Sequence, residues 1–237
     1  MSDTHSVDYF CHVWDYNTWK LNADSSVMHT PYEPVNHDWL ENQLLRFAPA
    51  SYKIDNYSKL YPSKKNMPWV SLFYSMMYSN FLKIQHERYK QRYDFVVKCR
   101  YDIVFEPGKK FCPLGKPQDR RIYTGHADRM HYRFNKINAS DTIFYGDSWG
   151  MDIITDSYFD LIKYHNKSYN RRLDQLAPHD PGTFIYECAS KYNVAVDIDA
   201  RMQGVIYRQE MSGTDAKLDF NKILENHNSY YTYRCDT

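Results

Sequence analysis

The chain has 237 residues, 43% of them hydrophobic and 25% charged, with a net charge of +1 from 30 basic and 29 acidic residues. That is enough for one sizeable core, and the near-neutral balance lacks the basic excess of a duplex-binding protein, so no nucleic acid partner is expected. Five widely spaced cysteines with no CxxC pair argue for reduced thiols in a cytoplasmic setting and against a zinc site or disulfide frame. The 23 tyrosines offer flat apolar faces with a polar tip, suited to stacking on sugars or to half-buried surfaces.

In chain order, the first extended run is Val7–Trp14, "VDYFCHVW", which predicts a strand. Residues 20–66 are rich in Asn, Pro, Ser and Tyr and read as loops around one short helix, Asp38–Phe47. From Trp69 to Lys90 the period is helical, with Trp69, Leu72, Phe73, Met76, Met77, Phe81 and Ile84 on one face. Asn66 is placed to cap that helix, and Pro68 fits a first turn. The apolar part, Val70–Leu82, is interrupted by serines and Asn80 and is too short to span a bilayer, so no transmembrane segment is expected.

The next segment, "YDFVVKCRYDIVFEP", reads as a buried strand at Phe95–Val97. Lys98, Arg100 and Asp102 then interrupt it before Ile103–Phe105. In an extended chain Arg100 and Asp102 point to one side. Together they suit a diphosphate carrying a divalent cation, or else an ion pair closing the strand end. Further strands are expected near Ile122–Tyr123, over Thr142–Tyr145, over Val194–Ile198 and over Val205–Tyr207. A helix capped by Ser148 or Asp152 is expected to reach Tyr164, and another follows Pro181-Gly182 with Phe184, Ile185, Cys188 and Ala189 inward. Strands and helices alternating at these lengths predict an α/β fold with a mixed, mainly parallel sheet flanked by helices, whose ligands sit at the carboxyl ends of strands. Val7–Trp14, Phe95–Lys98 and Thr142–Tyr145 are expected in one sheet. Residues 209–237 read as a peripheral tail.

Two other clusters have metal-ligating residue types. Asp197-Ile198-Asp199 is a D-x-D tripeptide in a late strand. His126, Asp128 and His131 lie close in a polar loop, but not at helical ligand spacing, and acceptor contact is the better role for that loop. No G-x-S-x-G, Walker or G-x-G-x-x-G motif is present, which removes the main hydrolase, kinase and dehydrogenase signatures.

The segment from Ser75 to Pro107 resembles the central signature of small GT-A-type glycosyltransferases of bacterial surface-polysaccharide clusters and large viruses. Their pattern, Y-D-x-V-x-[RK]-x-R-x-D-x-x-F, is matched by Tyr93, Asp94, Val96, Lys98, Arg100, Asp102 and Phe105. The R-x-D stands where other GT-A enzymes carry D-x-D. "DYFCHVWD" is similar to a family strand ending in [HN]-x-W-D, "SDTIFYGDSWGMD" to a segment placing Asp141 and Gly146, and "VAVDIDARMQGVIYR" to closing strands ending at Arg208. The resemblance covers 1–208 as a single GT-A-like domain, with no counterpart of the family's first strand and its A-L-C-x-S-G-Q-x-R loop before Val7. It implies a glycosyltransferase that moves a sugar from a nucleotide-sugar donor to a hydroxyl of a glycan or lipid-linked acceptor. It implies donor binding by Trp14, Asp15, Lys98, Arg100, Asp102 and Arg208, with Mn2+ or Mg2+ at Asp102. Asp141 and Asp180 are the candidate bases; the family's Pro-Glu before the last helix is replaced here by His179-Asp180-Pro181-Gly182. The implied location is cytoplasmic, the host cytoplasm for a viral chain, with membrane association only through the acceptor. The alternatives are a non-catalytic glycan- or nucleotide-binding relative, and a metal-dependent nuclease built on Asp102 and Glu106.

Overall fold

The computed structural model describes residues 6–21, 27–60, 68–100, 103–104, 117–126, 139–168, 181–198 and 205–206. The chain divides into two units, one formed by Met1–Lys20 with Val27–Arg92, the other by Leu21–Ser26 with Tyr93–Thr237.

In the first unit, β1 (Phe10–Trp14) pairs in parallel with β4 (Ser51–Asp55), from Phe10 opposite Ser51 to Trp14 opposite Asp55. Alternation sends Phe10, His12 and Trp14 to one face. Helix α3 (Pro68–Glu87) packs there, with His86 edge-on to Phe10 at 5.4 Å and Tyr74 against Trp14 at 5.1 Å. On the other face Tyr52 donates its hydroxyl to Glu41 of α1 (His37–Leu45), which raises the Tyr52 pKa. Asn36 caps α1 by accepting from the Trp39 N–H at 2.9 Å. Strands β2 (Tyr16–Leu21) and β3 (Val27–Pro34) pair with each other, and α2 (Tyr57–Leu60) follows β4.

The segment expected to be loops thus contains β4, whose five residues are all half-buried, as well as β3, α2 and the end of β2. The buried stripe of α3 also differs from the apolar one. Phe73 and Met76 are buried as expected, but the buried line starts at Val70 and continues through Asn80, Lys83 and Glu87, while Phe81 is 44% exposed. Lys83 and Glu87 share an ion pair at 3.2 Å, and Arg92 stands 4.0 Å from Glu87.

The second unit holds a four-stranded sheet in the order β5 (Val96–Cys99), β8 (Ala139–Gly146), β7 (Arg121–His126), β9 (Ala195–Ile198). Only the β7–β9 ladder is parallel; β5–β8 and β7–β8 are antiparallel. The protein is therefore mixed α/β, but this sheet is not mainly parallel. Nor does β1 join it, since β1 pairs with β4. Among the described strands β5 lies at an edge; Val97 is 39% exposed and the Phe95–Val97 run is only half-buried. A two-residue pair, β6 (Ile103–Val104) with β10 (Val205–Ile206), is antiparallel.

Helix α4 (Ser148–Thr155) starts at Asp147, not Ser148 or Asp152: the Asp147 carboxylate accepts from the Gly150 N–H at 3.0 Å. Helix α5 (Ser157–Ser168) follows after one residue, so the expected single helix is two. Helix α6 (Pro181–Lys191) buries Phe184, Ile185, Cys188 and Ala189 as expected and packs on β8, β9 and α4. Glycine is needed at 146: a Cβ there would lie 2.9 Å from the Arg121 carbonyl oxygen and 3.2 Å from Ile122 Cγ2.

Candidate functional site

At the carboxyl ends of β1 and β4, Trp14, Asp15 and Asp55 come together. The Asp15 N–H donates to the Asp55 carbonyl at 3.0 Å, continuing the ladder one step past the strands. The Asp15 carboxylate turns to the β4–α2 connection, accepting from Asn56 Nδ2 at 2.7 Å and from the Tyr57 N–H at 3.0 Å. Trp14 stands edge-on to Tyr57 at 5.2 Å and to His12 at 4.9 Å. Tyr78 extends the aromatic group, 5.3 Å from His12 and 5.8 Å from Tyr74.

His12 organises the polar side of this edge. Its side chain has no exposure, its Nε2 lies 3.2 Å from Asp55 Oδ2, and its Nδ1 lies 3.0 Å from Ser75 Oγ. A carboxylate only accepts, so this network assigns the proton to Nε2 and leaves Nδ1 to accept from the Ser75 hydroxyl. Burial lowers the His12 pKa to about 4, against the opposing pull of Asp55. The imidazole is therefore neutral at pH 7. Tyr74 donates its hydroxyl to the same Asp55 Oδ2 at 3.0 Å, and Lys53 Nζ stands 3.6 Å from Asp55 Oδ1.

The Ser75–His12–Asp55 series has the composition of a nucleophilic triad, but not its chemistry. A base with a pKa near 4 is a poor acceptor for a serine proton at pH 7. Ser75 also lies inside α3, where backbone N–H groups are engaged in the helix instead of forming an oxyanion hole. The arrangement holds Asp55 in place and ties α3 to the strands.

In the second unit, Lys98 holds its ammonium 5.1 Å from the centre of the buried Phe144 ring, and Arg100 follows β5 half-buried. Phe95, Tyr145 and Tyr123 stack in a row across the opposite face, at 5.0 Å and 4.8 Å. Asp197, half of the D-x-D tripeptide, is hydrogen-bonded to Arg121, whose pKa that contact raises.

Of the residues singled out in the sequence, Trp14 and Asp15 lie together at the β1 exit, while Lys98 and Arg100 lie at the end of β5. Asp102, Asp180, Asp199 and Arg208 fall outside the described residues, as do Asp128 and His131, and so does the side chain of Asp141. Among the described residues no three His, Cys, Asp or Glu side chains are grouped to hold a metal ion, and no helix is long and apolar enough to cross a membrane. Sequence reasoning missed His12, Asp55, Tyr74 and Ser75 as a group. The one available signal was His12 itself, a titratable residue at the centre of an apolar strand. Comparisons with protein-family models, with curated proteins and with solved structures found no match.

Proposed function

We propose that the chain is a GT-A-like glycosyltransferase that moves a sugar from a nucleotide diphosphate donor to a hydroxyl of a glycan or lipid-linked acceptor. The observation that supports this reading is the edge formed by β1 and β4. There, the residues of the H-x-W-D motif sit at the carboxyl ends of two adjacent parallel strands, the position where open α/β sheets take their ligands. The ring of Trp14 supplies a flat wall for a base or sugar. The R-x-D of Arg100 and Asp102 is the proposed diphosphate contact, with Lys98 and Arg208 adding positive charge. Mn2+ or Mg2+ at Asp102 would offset charge on the leaving diphosphate. Asp141 or Asp180 is the proposed base on the acceptor hydroxyl.

The test is calorimetric titration of uridine and guanosine diphosphates with and without Mn2+, followed by donor-sugar turnover for the wild type and Asp102→Asn. Metal-dependent binding, with turnover lost in a folded Asp102→Asn, is the expected result. Binding without turnover in the wild type would favour a non-catalytic nucleotide-binding protein. Tight oligonucleotide binding instead would favour a nuclease.

A further inference from the structure

The β1–β4 edge holds a carboxylate that the motif does not single out. Asp55 ends β4 directly opposite Trp14, on the same face, with its side chain 16% exposed. Its two oxygens are unequal. Oδ2 accepts from both Tyr74 and His12, at 3.0 and 3.2 Å. Among the described residues, Oδ1 has only Lys53 Nζ near it, at 3.6 Å, beyond hydrogen-bond range, and that lysine side chain is 44% exposed. Asp15 differs, since one of its oxygens serves Asn56 and the other Tyr57.

The surroundings narrow what Oδ1 can accept. A divalent cation would want further oxygen ligands, and the neighbouring group is an ammonium. A phosphate would meet a carboxylate. Neutral hydroxyl donors remain, and a vicinal diol supplies two. We propose that Asp55 Oδ1 is the acceptor for a vicinal diol, that of a nucleotide's ribose or of a sugar ring, lying against Trp14. Tyr74 and His12 fix the carboxylate from behind, so little ordering is left for the moment of binding. The ribose assignment rests on the glycosyltransferase reading; the hydroxyl chemistry of Asp55 does not.

The experiment titrates the wild type, Asp55→Asn and Tyr74→Phe with uridine and guanosine diphosphates, their 2′-deoxy counterparts and free glucose and galactose. A ribose bound at Asp55 gives a preference for the ribonucleotide of about tenfold or more, the usual effect of a hydrogen bond to a charged group. That preference collapses toward one in Asp55→Asn and falls in Tyr74→Phe. A monosaccharide that binds only when Asp55 is intact assigns the diol to a sugar ring. Nucleotides that bind with equal affinity in ribo and deoxy forms, and no Asp55-dependent sugar, overturn this inference and leave the nucleotide reading standing. Failure of the wild type to bind any of these ligands overturns both. Tyr74→Phe, which removes one hydroxyl only, decides the matter if Asp55→Asn fails to fold; an unchanged preference in that variant counts against the proposal.

Discussion

The face of the β1–β4 pair and the helix-covered face of the four-stranded sheet are built on opposite plans. The first buries a neutral His12 and presents Lys53 and Asp55, with Tyr74 and Ser75 meeting them from α3. The second buries Ile122, Phe144 and Ile185 without exposure, and among its buried polar side chains Thr124 bonds to the Ile143 carbonyl. An apolar face stabilises through area removed from water, whereas a satisfied polar network fixes geometry for little net gain. Ligand-sensitive substitutions should therefore gather at the β1–β4 edge and at the Lys98–Arg100 end of β5, and purely stability-sensitive ones in the apolar interior of the sheet.

The sharpest way to break this contrast is the polar stripe of α3. Lys83→Met should cost on the order of 3–5 kcal/mol in chemical denaturation, because it leaves the Glu87 carboxylate buried without its nearest counter-charge. The double variant Lys83→Met/Glu87→Leu should recover most of that loss. A single variant as stable as the wild type would mean that Arg92, 4.0 Å from Glu87, suffices as its partner. On the apolar side, Phe144→Ala should cost about 3–5 kcal/mol, since the ring is fully buried and its loss leaves a cavity beneath Lys98. A cost below about 1 kcal/mol would show that the sheet can collapse onto the space.

The same contrast explains what could be read from the sequence. Strand β8 and helix α6 were legible because their buried residues are apolar at regular spacing: Ile143 to Tyr145, and Phe184, Ile185, Cys188 and Ala189. Strand β4 was not, because "SYKID" shows little apolar contrast and its partner lies 41 positions away in the chain at every step of the ladder. Likewise, Lys83 and Glu87 look like a solvated helix surface until their burial is seen. At the site, Trp14 and Asp15 were legible through a local motif. Asp55 and Ser75 were not, because their roles arise from contacts with His12 across 43 and 63 positions. Lys98 and Arg100 were visible as anomalies in a buried strand, but among the described strands β5 lies at an edge, where charged side chains are ordinary.

His12 sets the next prediction, which concerns pH. Its pKa falls from 6.5 in the unfolded chain to about 4 in the fold. Between those values the unfolded chain binds the proton and the folded one does not. Stability is thus fully present above pH 6.5 and is lost as pH falls toward 4, by about 3 kcal/mol in total. Denaturation midpoints measured from pH 7 to pH 4 should show this slope in the wild type and a flatter one in His12→Asn. Equal slopes would assign the acid sensitivity to other groups.

The smallest effect is expected where the sequence offers its most familiar metal motif. Arg121 reaches diagonally across the β7–β9 ladder to Asp197, and the two side chains are 33% and 42% exposed. An ion pair this open is screened by solvent, and holding two side chains in one geometry offsets much of its attraction. Asp197→Asn should therefore leave the thermal midpoint near that of the wild type. It should also leave any Mn2+ dependence of nucleotide binding intact, because the Asp197 carboxylate is already directed to a guanidinium. Asp102→Asn is the matched control, since it tests the R-x-D carboxylate with the same change of charge. If metal dependence disappears with Asp197→Asn and survives Asp102→Asn, the cation belongs to Asp197-Ile198-Asp199. The guanidinium of Arg121 would then have to give up its hydrogen bond whenever metal binds, and a metal-free Arg121→Met variant should take up Mn2+ more tightly than the wild type.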